Sequence, residues 1–159
     1  FGLTYQDTDS LGDNLDTSGS GGSQSDVVFS VPGTIEAELY AAMNGIQTEA
    51  STDSGGGTGG GRNIGYVDTG DWLQYNIDVQ TPGSYLIEYR VASDLGSSGF
   101  ATLINGTEID RQSVPNTGGW QNWITQSETV ELLAGTHTLR INAIGPEWNL
   151  NWIRLNLID

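Results

Sequence analysis

The sequence predicts an all-β domain, a sandwich of two antiparallel sheets. Three observations carry this expectation. From Val27 onward, stretches of alternating apolar and polar residues dominate the chain. Turn signals separate them roughly every 8–12 residues, the punctuation of a sandwich. No long apolar stripe of helical period appears. Counted this way, about nine or ten strands follow one another, which disfavours a parallel α/β sheet.

The elements can be justified in chain order. Residues 1–26, FGLTYQDTDSLGDNLDTSGSGGSQSD, are acidic and rich in Gly and Ser, the composition of a linker or extension. Asp7, Asp9 and Asp13 have loop-like spacing for a cation, but the later Gly and Glu of an EF-hand are missing. The folded module is expected over 27–159. Glu36–Ala42 allows a helical turn, confined by Pro32-Gly33 and Gly45. In Asp71–Val79 one face carries Leu73, Tyr75, Ile77 and Val79, and the other Trp72, Gln74, Asn76 and Asp78. Gly83–Ala92 repeats the pattern through Tyr85, Ile87, Tyr89 and Val91. His137–Ile144 does so through Leu139, Ile141 and Ala143, and Asn151–Asp159 through Ile153, Leu155 and Leu157. Thr81-Pro82-Gly83 and Ala134-Gly135 mark breaks between strands. Asn105-Gly106 signals a two-residue hairpin of type I′.

Composition excludes several functions. The chain has 159 residues, enough for one domain, and a net charge of −15. That charge repels phosphate backbones and anionic lipid surfaces, so neither nucleic acid nor membrane is an expected partner. All the bases are arginines; without lysine there is no P-loop or Schiff-base chemistry. With no cysteine and one histidine, thiol catalysis and multi-histidine zinc sites are excluded. Carboxylates in excess suit hard cations such as calcium.

The aromatic residues are the most informative. Trp120 and Trp123 are three apart, so in an extended segment they face opposite sides and only one can enter the sheet interface. Trp123 is flanked by Asn122, Thr125 and Gln126. An indole face bordered by amides and hydroxyls suits a sugar, whose C–H face stacks while its hydroxyls pair. Tyr66 follows the glycine-rich run 55–61 and is either an ordinary strand tyrosine or a second stacking platform. Trp148-Asn149-Leu150-Asn151-Trp152 sets two amides beside two indoles, for a diol or for backbone turns.

Carboxylates are the other candidates. Glu36 and Glu38 leave an extended segment on one face, about 7 Å apart, and repel unless a counter-charge intervenes. Calcium, a solvated face and catalysis are the three readings, and the chain end with Asn156 and Asp159 offers further oxygens. Asp68 and Asp71 bracket a turn, where aspartate caps backbone N–H groups; a glycosidase needs two carboxylates across a cleft. His137 has no serine in an elbow context to make a triad.

Taken together, these segments resemble a known family. Ile35-Glu36-Ala37-Glu38-x-Tyr40, Gly65-Tyr66-x-Asp68-x-Gly70-Asp71-Trp72-x-x-Tyr75 and Gly83-x-Tyr85 with Tyr89-Arg90-Val91-Ala92-Ser93 resemble family 6 carbohydrate-binding modules. So do Gly118-Gly119-Trp120-Gln121-x-Trp123, Ala134-Gly135-x-His137-x-Leu139-Arg140 and Asn149-Leu150-Asn151-Trp152-Ile153. The resemblance runs over about residues 34–157 and is nearest to modules attached to marine bacterial agarases. It implies a lectin-like β-jelly-roll sandwich. It also implies a non-catalytic, secreted, monomeric module, carried with the catalytic domain of a glycoside hydrolase and binding a polysaccharide or oligosaccharide. Agarose is the first expected ligand, with xylan or a β-glucan behind it.

By the same resemblance, Tyr66 and Trp123 fall on the pair that grips the sugar ring. The ligand asparagine falls on Asn151 or Asn149, with Asn151 favoured, and Trp148 extends the site. A second cleft on the concave sheet face is known in some members. The resemblance further implies a structural calcium, held by Glu36 and Glu38, by Asn156 or Asp159, and by the backbone near Arg62. Two other functions compete: a small glycoside hydrolase using Asp68, Asp71, Glu36 or Glu38, and a calcium-dependent adhesion sandwich without sugar specificity.

Overall fold

The computed structural model describes residues 27–53 and 61–158. The expected extension 1–26, the residues 54–60 and the C-terminal Asp159 lie outside them. Twelve strands follow in order: β1 (Val28–Val31), β2 (Gly33–Glu36), β3 (Ala42–Asn44), β4 (Gln47–Ala50), β5 (Arg62–Gly65), β6 (Trp72–Val79), β7 (Gly83–Ser93), β8 (Ser97–Ile104), β9 (Thr107–Val114), β10 (Gly119–Leu132), β11 (Gly135–Ala143) and β12 (Asn149–Leu157). No helix occurs among the described residues. The permitted helical turn after Glu36 is a single tight turn, with Leu39 N–H donating to Glu36 O at 3.0 Å.

The strands form two sheets. The first has the order β1-β6-β11-β8-β9, with β3 also paired to β6. The second has the order β10-β7-β12-β5-β4, with β2 also paired to β12. All pairings are antiparallel except β1 with β6, which is parallel, so the expectation of purely antiparallel sheets holds for all but one pair. A two-sheet sandwich is the architecture the alternation predicts, and the jelly roll is the form of it that the family resemblance implies: inward side chains fuse into one core, and outward ones stay polar.

The core is built from the alternating residues. Leu73, Tyr75 and Ile77 of β6, Tyr85, Ile87, Tyr89 and Val91 of β7, and Leu139 and Ile141 of β11 are fully buried. Two buried phenols are satisfied: Tyr75 donates to Ala37 O at 2.6 Å, and Tyr89 pairs with Thr102 Oγ1 at 2.7 Å and Asp110 at 2.9 Å. Phe100 meets Tyr89 edge-on and Trp148 at a tilt, each with ring centroids 4.9 Å apart. The Asn105-Gly106 hairpin has φ of 49° and 87°, the double positive φ that a type I′ turn demands. In β8, Gly99 has φ +84°, and a Cβ there would lie 1.9 Å from Gln112 O, so only glycine lets β8 and β9 approach through their register shift.

Candidate functional site

Four loops meet at one end of the sandwich: β5–β6, β7–β8, β9–β10 and β11–β12. Ser93, at the end of β7, joins three of them. Its Oγ donates to Glu147 O at 2.7 Å and accepts from Gly96 N–H at 2.9 Å, and its carbonyl accepts from Thr117 N–H at 2.8 Å. Glu147 N–H in turn donates to Val67 O at 2.9 Å. The chain therefore runs, contact by contact, from the segment of Tyr66 to that of Trp120.

These two aromatics are the ones left open at this edge. Tyr66 is 60% exposed with φ +58°, a left-handed backbone that a side chain adopts at a cost of about 1–3 kcal/mol. Trp120 is 39% exposed. Between their segments lies Asn149, 4% exposed. Its Nδ2 donates to Trp120 O at 2.7 Å, and its Oδ1 sits where a Cβ on Gly65, the residue before Tyr66, would be 2.5 Å away.

Beneath this asparagine is a polar net. Oε2 of Glu49 accepts from Asn63 Nδ2 at 3.2 Å, Gln121 Nε2 at 3.0 Å and Asn149 Nδ2 at 3.2 Å. Three amides from three strands thus fix one carboxylate oxygen, which orders the floor before any ligand arrives. An arrangement of two aromatic faces, a fixed amide and a fixed carboxylate can stack an apolar ring face and exchange hydrogen bonds with hydroxyls around it.

Of the other expected site residues, Trp123 reaches the net through Gln121, while Trp148 and Asn151 have partners of their own. Trp120 and Trp123 both fall within the register shift of β10 between Gly119 and Ile124, so their three-residue spacing alone does not set which ring faces the edge. Trp123 is half-buried against the outer face of its sheet, and its Nε1 donates to Gln121 Oε1 at 3.2 Å. The same Oε1 accepts from Thr52 N–H at 2.8 Å, so Trp123 is tied through Gln121 both to the 51–53 segment and to the Glu49 net beneath Asn149. Trp148 does not extend the site: it is 1% exposed, packs on Phe100, and donates Nε1 to Gly145 O at 2.9 Å. A Cβ of opposite parity to Asn149 sends its ring into the core. Asn151, the favoured asparagine, occupies the register shift in β12 and donates to Asp53 Oδ2 at 2.8 Å, beside the Asp53–Arg90 ion pair.

Glu36 and Glu38 sit in a third neighbourhood. Glu36 pairs with Trp152 across β2 and β12, and Ala37 N–H donates to Asn151 O at 2.9 Å. Glu38 is buried with Oε1 lacking any partner among the described residues. Burial first, and then the adjacent Glu36, push its carboxyl up to about 7; a backbone hydrogen bond and Arg62 oppose them. Arg62 opens β5, and its guanidinium donates to Thr48 Oγ1 at 3.0 Å. Asn156 is not brought to this pair. It lies four residues beyond Trp152, about 13 Å along the strand, opposite Leu86, where Nδ2 reaches Glu88 at 3.4 Å. The expected ligand Asp159 lies outside the described residues. Among those residues no three acidic or histidine side chains cluster as a metal site.

Asp68 and Asp71 do not face each other across a cleft; Asp71 Oδ2 accepts from Asp68 N–H at 2.8 Å, closing the turn. His137 bridges the Asn105 side chain at 2.9 Å and Leu133 O at 2.8 Å, a tie between hairpins.

The family profile described as carbohydrate binding module (family 6) matches residues 36–156. The chain belongs to that family. Its members are non-catalytic binding modules. Of solved family 6 modules, the C-terminal one of LamC, a marine laminarinase from Zobellia galactanivorans, is 44% identical, with a TM-score of 0.70 over 77% of this chain and 97% of that one. A β-1,3-glucan binding module from Bacillus halodurans is 36% identical, with a TM-score of 0.72 over 82% of this chain and 99% of that one. The clotting factor G alpha subunit of Tachypleus tridentatus is 39% identical over 78% of this chain and 18% of its own length. Agarases are among the relatives too, such as the alpha-agarase of Thalassotalea agarivorans, 26% identical over 78% of this chain and 9% of its own length. The chain spans less than a quarter of the length of these curated relatives.

Glu49 and Gln121, which the structure ties to Asn149, carried no signal of that tie in the sequence, whereas Trp120 was weighed there against Trp123. The exposed indole at one edge was discernible as one of two choices. The Glu49 net joins residues 72 and 100 positions apart, which no local pattern signals.

Proposed function

We propose that this module binds a neutral polysaccharide between Tyr66 and Trp120 and holds a secreted polysaccharide-degrading enzyme on its substrate. The sugar ring stacks on the two exposed rings, Asn149 pairs with ring hydroxyls, and the Glu49 carboxylate accepts from a further one. No bond is broken. The observation that carries this is the buried Asn149 amide set between the segments of two exposed aromatics. A shallow cleft of this kind gives a dissociation constant on the order of 10 μM to 1 mM, or about −4 to −7 kcal/mol.

A β-glucan is the ligand we favour. The support is that modules of a laminarinase and of a lichenase are 44% and 43% identical to this one. Agarose is the second reading, favoured by agarase relatives at 26–36% identity. Isothermal titration with laminarihexaose, cellohexaose, neoagarohexaose and xylohexaose separates them. Tyr66→Ala and Trp120→Ala are expected to abolish binding without unfolding the domain, whereas Trp123→Ala keeps at least part of it. Full binding by the Tyr66→Ala, Trp120→Ala double variant would refute the cleft.

A structural calcium is also part of the proposal. The orphaned Glu38 oxygen, driven by burial and by Glu36 toward its neutral form, fits a site completed by a hard cation. Glu36, Glu38 and the backbone near Arg62 would hold it, with Asn151 the β12 residue nearest to them by its backbone contact. The cation would supply charge balance to the β2–β12 junction.

A further inference from the structure

Glu147 is an exposed residue with φ +71°, held in the left-handed region where a side chain is strained and glycine is not. Its backbone groups tie it to the segments of the two stacking rings, to one directly and to the other through Ser93. Its N–H donates to the carbonyl of Val67, which follows Tyr66. Its carbonyl accepts from Ser93 Oγ, and Ser93 pairs with Gly119, which precedes Trp120. Two residues on is Asn149, with the core-anchored Trp148 between them. The strained position is therefore pinned beside the floor and both walls of the cleft. A charge serving only solubility needs no such backbone.

The carboxylate is also left without a cation. Among the described residues Glu147 has no ion pair. The arginines are engaged elsewhere: Arg90 with Asp53, Arg111 with Glu108, Arg62 with Thr48, and Arg140 and Arg154 over the rings of Trp72 and Trp152. None lies in the four loops of this edge.

We infer that Glu147 is a specificity-determining residue of the cleft, a carboxylate acceptor beside it that pairs with hydroxyls of a neutral glycan and rejects glycans bearing sulfate or carboxylate. The inference rests on the carbohydrate reading above. A hydrogen bond to a charged acceptor is worth roughly tenfold or more in affinity. The same charge repels an anionic substituent, and salt screens that repulsion.

The test uses Glu147→Gln and Glu147→Gly, titrated with laminarihexaose, neoagarohexaose and xylohexaose, and with a κ-carrageenan hexasaccharide at 20 and 500 mM NaCl. Each variant is expected to lose roughly tenfold in affinity for the neutral probe that the wild type binds. Glu147→Gln gains affinity for the sulfated probe at low salt, and the gain shrinks at high salt. Glu147→Gly melts no lower than wild type, because glycine adopts this backbone freely; a merely structural role for Glu147 predicts a lower melting temperature in both variants. Neutral affinity equal to wild type in both variants overturns the assignment, as does a neutral-over-sulfated preference that Glu147→Gln leaves unchanged. A wild-type domain that binds none of the neutral probes overturns the carbohydrate reading itself, and this inference with it.

Discussion

A Cβ at Gly65 would stand 2.5 Å from Asn149 Oδ1, so the amide and a side chain cannot share that space. Gly65→Ala is expected to turn the Asn149 amide away and weaken glycan binding at least tenfold, at a small cost in melting temperature; titration calorimetry beside a thermal melt checks both. This residue shows what a single sequence reveals and what it hides. Tyr66 could be read as a platform from its place after a glycine run, and Asn149 from its setting among indoles. The choice between Trp120 and Trp123 could not be read. Strict alternation would turn them opposite ways, but β10 has a register shift between Gly119 and Ile124 that spans both residues, so parity does not decide which ring meets the open edge. Asn151 was hidden for the same reason, since a shift between Leu150 and Trp152 in β12 turns it toward Asp53.

At the scale of elements, the long alternating strands β6, β7, β11 and β12 were legible to within about two residues, because each buries one full face. The short ones were not: β3, β4 and β5 have three or four residues each, and their pairing is decided by partners far along the chain. What holds the segment after β4 to the second sheet is the Asp53–Arg90 pair. Its two carboxylate oxygens each meet a guanidinium nitrogen at 3.0 Å, with side chains 3% and 18% exposed. Arg90→Leu leaves Asp53 buried without its counter-charge and is expected to destabilise the fold by about 3 kcal/mol in urea unfolding. The Asp53→Asn, Arg90→Leu double variant should recover part of that loss.

At the scale of the whole molecule, the net charge of −15 makes every buried carboxylate a liability unless a cation offsets it. Glu38 is the one whose pKa shows it, raised from 4.5 to about 7. A carboxyl with a higher pKa in the folded state binds more protons there than in the unfolded chain. Stability therefore falls as pH rises from about 4.5 and is lowest above about 7. With chelator present, the melting temperature is expected to decline between pH 5 and pH 8, and Glu38→Gln should flatten that decline. Added calcium should restore the melting temperature at pH 8 in the wild type and not in Glu38→Gln. A wild-type melt that ignores both chelator and calcium contradicts the cation assignment.

The run of β7 also sets where the tail departs. Ile158 N–H donates to Ser84 O at 2.8 Å, at the start of β7, while Ser93 at its other end joins three of the four loops. Nine residues of strand separate them, about 30 Å. Ile158 thus lies at the pole opposite the Tyr66 rim, and a bead or sensor chip gripping a tag fused there would leave the open mouth pointing into the surrounding liquid.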